Sequence, residues 1–128
     1  MNLKRQSVTS QINVGDLNEL IIDSIKDIKG KNIVKLELTH VEDSPTDYFI
    51  ICEGDSNIQV KSITDNIYKR VKEEAGLIPN HTEGRQHSRW ILVDYFSIVV
   101  HIFYPETRMF YDLEDLWSDA KFTHYESI

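Results

Sequence analysis

A mixed α/β fold, with a sheet of about five strands and helices packed on it, is what this sequence predicts. Two segments set apolar residues at helical spacing between capping and glycine signals. Four short β-rich runs lie between and after them. The resulting order of helix, two strands, helix, two or three strands and helix suits helices layered on one sheet. At 128 residues the chain is long enough for one core and short for two.

Residues 1–15 are polar and aperiodic and read as a loose arm ending at Gly15. Asp16 with Glu19 three residues on resembles a capping box. Leu17, Leu20, Ile21, Ile25 and Ile28 then form a helical stripe, with Gly30 as the stop. Ile33 to Leu38 largely alternates, as a strand with one wet face does. Ser44-Pro45-Thr46-Asp47 is turn chemistry. Tyr48 to Cys52 is apolar throughout and predicts a central strand. Ser56 and Gln59 form a second capping box, ahead of the stripe Val60, Ile63, Ile67 and Val71 and the terminator Gly76. Leu77 to His81 predicts a short strand. Trp90 to Val93 and Ile98 to Phe103 predict a hairpin turning through Asp94-Tyr95-Phe96-Ser97. Asp112 is placed to cap a closing helix through Leu113, Leu116, Trp117 and Ala120. Residues 16–120 therefore read as the domain and 121–128 as a tail.

Composition narrows the function. Fourteen Lys and Arg against 21 Asp and Glu leave a net charge of −7. Nucleic-acid binding draws on cationic side chains that displace counterions, so no direct nucleic-acid partner is expected. The same charge favours encounter with a basic protein. No apolar run approaches the roughly 20 residues that span a bilayer, and the opening Met-Asn-Leu-Lys-Arg-Gln-Ser lacks a secretory apolar core. Cys52 is the only cysteine and lies in an apolar run, as a buried thiol in a reducing cytoplasm would.

Catalytic signatures are missing. The glycines at 15, 30, 54, 76 and 84 stand apart and form no phosphate cradle. The five histidines show no helical His-Glu-x-x-His pair and no cysteine partners, so no metal and no cofactor is expected. Mixed sheets of this order occur in nucleotidyltransferases, which grip magnesium with two aspartates one residue apart after a Gly-Ser turn. Here the turn reads Gly54-Asp55-Ser56-Asn57-Ile58, and the chain has no Asp-x-Asp. His101 interrupts an apolar strand and reads as a buried ring bonded to Asp94 or to backbone, since no nucleophile completes a site.

Several segments together carry a resemblance. They are Ser44-Pro45-Thr46-Asp47-Tyr48-Phe49-Ile50-Ile51, Gly54-Asp55-Ser56-Asn57-Ile58-Gln59-Val60 and Glu83-Gly84. Trp90-Ile91-Leu92-Val93-Asp94-Tyr95, Val99-Val100-His101-Ile102-Phe103 and Arg108-Met109-Phe110-Tyr111-Asp112-Leu113-Glu114-Asp115-Leu116-Trp117 follow. Their order and spacing resemble the Iojap-like ribosomal silencing factors over about residues 16 to 120. The resemblance implies a nucleotidyltransferase-like fold without the catalytic carboxylates, and a non-enzymatic, cytoplasmic role. It implies docking on the large ribosomal subunit through ribosomal protein L-fourteen, blocking of small-subunit joining, and self-association as a homodimer.

The resemblance also points to a partner surface at Trp90, Tyr95 and Tyr111. Trp90 has a core reading beside the contact one, Tyr95 an ordinary hairpin reading, and Tyr111 a reading as a staple ahead of Asp112. Gly84 is expected to meet a backbone requirement and Glu83 to pair with a basic protein. Where the family usually has Gly-Asp after the hairpin tyrosine, this chain has Phe96-Ser97. That sets Tyr95 and Phe96 side by side at an expected exposed tip, a feature suited to binding. Two rival readings are a small nucleotidyl- or phosphoryl-transfer enzyme and a dimeric scaffold of another assembly.

Overall fold

A computed structural model of the protein describes residues 12–126, so most of the expected arm, residues 1–11, lies outside the described range. Helix α1, Val14–Asp27, begins three residues earlier than expected. Its cap is Asn13, whose Oδ1 accepts the Asp16 N–H at 2.8 Å, and Asp16 supplies first-turn negative charge instead of the cap. At the other end Lys29, not Gly30, takes the left-handed position at φ 61°. Gly30 is needed for closeness, because a Cβ there would stand 2.3 Å from Cγ2 of Ile25.

Strands β1, Lys31–Glu37, and β2, Tyr48–Glu53, pair antiparallel, with a register shift between Lys31 and Val34. Helix α2, Asn57–Ala75, has the expected ends: Ser56 Oγ accepts the Gln59 N–H at 3.1 Å, and Gly76 stops it at φ 68°. The Gln59 amide also donates to the Ile28 carbonyl at 3.0 Å, which pins the start of α2 to the end of α1.

The third strand lies later than expected. β3 is His81–Glu83 rather than Leu77–His81. Leu77 packs against the core and Ile78 stands exposed, so that stretch crosses to the sheet without joining it. β4, Trp90–Asp94, and β5, Ile98–Phe103, form the expected hairpin. Beyond it the chain departs from the single closing helix. Short helices α3, Pro105–Tyr111, and α4, Leu113–Leu116, flank Asp112, which sits at φ 47° and caps neither with its side chain. The expected tail holds β6, Lys121–Tyr125, paired antiparallel with β1.

The sheet therefore has six strands rather than about five, in the order β3-β4-β5-β2-β1-β6. Only β2 and β5 at its centre run parallel. Helices α1 and α2 cover one face through Ile21, Ile25, Ile63 and Ile67, against Ile50, Ile91, Val100 and Ile102. The other face packs Val34, Leu36, Phe49, Ile51 and Phe103 under Leu113, Trp90 and Trp117. Cover on both sides explains why β2 is apolar from Tyr48 to Cys52. It also leaves the second face shielded by short helices and aromatic rings. Among the described residues no helix is long and apolar enough to cross a membrane.

Candidate partner-binding surface

Strand alternation divides the hairpin between the two faces. Ile91, Val93 and Tyr95 enter the core under the long helices, whereas Trp90 and Leu92 lie on the thinly covered face. Trp90 opposes Phe103 across the ladder, with ring centroids 5.0 Å apart. Its indole N–H donates to Nδ1 of His101 at 3.0 Å. Burial lowers the pKa of His101 to about 3, so the ring is neutral, and with Nδ1 accepting, its proton sits on Nε2. Phe49 meets the same imidazole edge-on at 4.6 Å. Trp90 is thus fixed from beneath and from the side, and its ring is partly open above.

Helix α3 adds the rest. Pro105 opens it, and Tyr111 at its end brings a ring 4.8 Å from Trp90. Met109 is 80% exposed, Phe110 81%, Tyr111 51% and, on α4, Leu116 69%. A shallow cleft lies between Phe110, Tyr111 and Trp90, rimmed by His87, Arg89 and Glu106. Large apolar side chains gathered in one exposed segment make this a candidate interaction surface. The surrounding charge is acidic: residues 104–120 hold Glu106, Asp112, Glu114, Asp115 and Asp119 against Arg108 alone.

Of the residues expected at a partner surface, Trp90 and Tyr111 come together and the others do not join them. Tyr95 stands five residues on from Trp90, just past the end of β4, about 16 Å away in strand geometry, and faces the opposite side. It is 6% exposed rather than at an open tip. Its hydroxyl has no hydrogen-bond partner, and burial raises its pKa. Phe96 is 72% exposed, at φ 71°, and lines a separate groove with Val14, Leu77 and Ile78. Glu83 lies exposed on β3, paired with His81 at 2.6 Å. Gly84 does meet a backbone requirement: φ is 91°, and a Cβ would stand 1.9 Å from the Trp90 carbonyl oxygen. His101 is buried as expected, but its partner is Trp90. Asp94 accepts the Phe96 N–H at 2.7 Å instead.

Met109 and Phe110 are not among the expected surface residues, and Leu116, expected on the stripe of a closing helix, is exposed instead. A signal was present: Met109-Phe110-Tyr111 are consecutive, and residues 100° apart on a helix cannot all face one core. Elsewhere, burial pushes the Cys52 thiol up to about 12, an inert core group. Among the described residues no three His, Cys, Asp or Glu side chains come together as a metal site.

The family model described as "Ribosomal silencing factor during starvation" matches residues 11–128. The chain belongs to the ribosomal silencing factor family. A ribosomal silencing factor of Halalkalibacterium halodurans is 34% identical over 113 residues, which cover 88% of this chain and 95% of that protein. The crystal structure of a Chromobacterium violaceum protein matches with a TM-score of 0.78 at 36% identity, covering 84% of this chain and 88% of the other. A mouse protein named mitochondrial assembly of ribosomal large subunit protein 1 is 34% identical over 79 residues, 60% of this chain and 35% of its own length. The family expected from the sequence is the one found, and the mixed α/β fold agrees with its solved relative. Within this silencing factor, the Trp90–Tyr111 pair adjoins the exposed ring of Phe110, 5.0 Å from Tyr111.

Proposed function

We propose that this ribosomal silencing factor represses translation by docking on the large ribosomal subunit and keeping the small subunit away. The surface it uses is Trp90 with Tyr111, extended by Phe110, Met109 and Leu116, and its target is ribosomal protein L-fourteen. The observation that carries this reading is the 4.8 Å Trp90–Tyr111 pair, held from beneath and open above, on a segment of the chain that is acidic. Rigid aromatic anchors ringed by polar groups make effective contact centres, and the acidic excess of residues 104–120 suits a basic ribosomal protein. The mouse relative's name, which refers to the large ribosomal subunit, supports the choice of subunit.

Binding, with no chemical step, accounts for the groups present. The imidazole of His101 is neutral and committed to Trp90, and the Cys52 thiol is buried. Self-association belongs to the proposal as well. The groove beside Phe96 and Ile78 is a second exposed apolar area, on the far side of the hairpin from the docking surface. The test is a subunit reassociation assay. Added protein should co-sediment with free large subunits and lower the yield of joined ribosomes. Normal joining at saturating protein, with no large-subunit binding, rules the proposal out.

A further inference from the structure

Helix α3 presents Phe110 and Tyr111, yet none of its seven residues is buried. A helix this short has almost no stability of its own, so its orientation must come from elsewhere. Arg108 supplies the tether. Its side chain turns inward and is 11% exposed. Nη1 donates to the Asn32 carbonyl at 2.6 Å and to Glu53 at 3.0 Å. Nε and Nη2 both reach one carboxylate oxygen of Glu114, at 3.1 and 2.7 Å.

The four acceptor contacts come from three places. Asn32 lies where the β1–β2 ladder shifts register, with φ at 50°. Glu53 ends β2, and Glu114 belongs to α4. One guanidinium therefore ties two strands and both short helices together. A planar fork suits this, because an ammonium cannot present donors in several fixed directions at once. Tyr111 follows Arg108 by three residues, nearly one helical turn. The rotation that Arg108 imposes on α3 is thus the rotation that sets the Tyr111 ring beside Trp90.

Taking as its basis the reading of Trp90–Tyr111 as the docking surface, we infer that Arg108 is its positioning residue. It offers little to a partner directly and acts by fixing how α3 presents Tyr111. The test measures binding to purified L-fourteen and amide hydrogen exchange in the same set of variants. Arg108→Met should weaken binding by about tenfold or more, which is about 1.4 kcal/mol. Arg108→Lys should fall between it and the unaltered protein, and Glu114→Gln should show a smaller loss in the same direction. Arg70→Met removes an equally connected guanidinium, bonded to Asp23, Asp27 and Glu74 far from α3, and should leave affinity unchanged.

Two readouts separate positioning from general stability. In a Tyr111→Ala background, Arg108→Met should cost little further affinity, because the two act through one ring. Amides 108–112 should exchange faster in Arg108→Met, while those of β2 and β5 stay protected. Unaltered affinity in Arg108→Met overturns the inference, as do additive losses in the double variant or unchanged exchange over 108–112. If the unaltered protein fails to bind L-fourteen, the docking reading is what falls. The exchange pattern then still decides whether Arg108 holds α3.

Discussion

The indole N–H of Trp90 and Nδ1 of His101 meet at 3.0 Å, and this bond couples a half-open aromatic ring to a wholly buried one. An imidazole held neutral in the core becomes the acceptor that sets the orientation of a surface residue. His101 contributes through Trp90, although it is 4% exposed.

That pairing predicts a pH dependence. The folded-state pKa of His101 lies at about 3, below the ordinary imidazole value of 6.5, because burial disfavours the charged form. The unfolded chain therefore binds the extra proton first as pH falls. The stabilisation is fully present above pH 6.5 and is lost progressively toward pH 3, by up to about 1.4 kcal/mol per pH unit. His101→Asn keeps an acceptor near Nδ1 and removes the titration. Denaturant melts from pH 7 to 4 should show a shallower loss in that variant, and equal slopes would contradict the assignment.

Exposed anchors should matter for binding and little for folding. Tyr111→Ala and Phe110→Ala should each weaken L-fourteen binding by about tenfold or more, with melting temperatures close to the original. Trp90→Ala should lower both affinity and stability, since that ring also packs on Phe103 and bonds His101. Tyr95→Phe should leave binding intact and cost no stability, because the hydroxyl it removes is buried without a partner. Calorimetry beside thermal melts reads both quantities.

Gly84→Ala should be among the most damaging single methyl additions. The new Cβ would overlap the Trp90 carbonyl at a φ of 91°. Either β3 leaves β4 or Trp90 shifts. We expect a loss of about 2 kcal/mol or more in denaturant unfolding, accompanied by weaker L-fourteen binding. A variant as stable as the original would show that this contact is not tight in solution.

Phe96→Gly should go the other way. Phe96 combines a left-handed backbone with 72% exposure, an unfavourable position for a large apolar residue. Its N–H is held by Asp94, and Ser97 N–H returns to the Tyr95 carbonyl at 3.0 Å, so glycine would fit the same turn. Stabilisation of about 1 kcal/mol is expected from relief of the left-handed strain. Equilibrium sedimentation of the same variant tests self-association: a weaker dimer places the contact at this groove, and an unchanged one removes the groove from it.

Local chemistry in the sequence determined several features outright. Ser56, Gln59 and Gly76 act within a turn of their own positions, and α2 begins and ends where they say. The unbroken apolar run Tyr48 to Cys52 required cover on both faces, and β2 is central. Trp90 and Tyr111 were named together through resemblance, and the fold brings their rings to 4.8 Å. What the tertiary structure decided was which side each residue faces and what lies far along the chain. Period-two alternation separates Trp90 from Tyr95, but it cannot tell which side two long helices will cover. β6 has a mixed, mostly exposed pattern, and it is a strand because the edge of β1 about 90 residues earlier offers its backbone hydrogen bonds. Arg108 likewise reads as one more surface charge until Asn32, Glu53 and Glu114 converge on it, and only the closed chain brings those acceptors within reach.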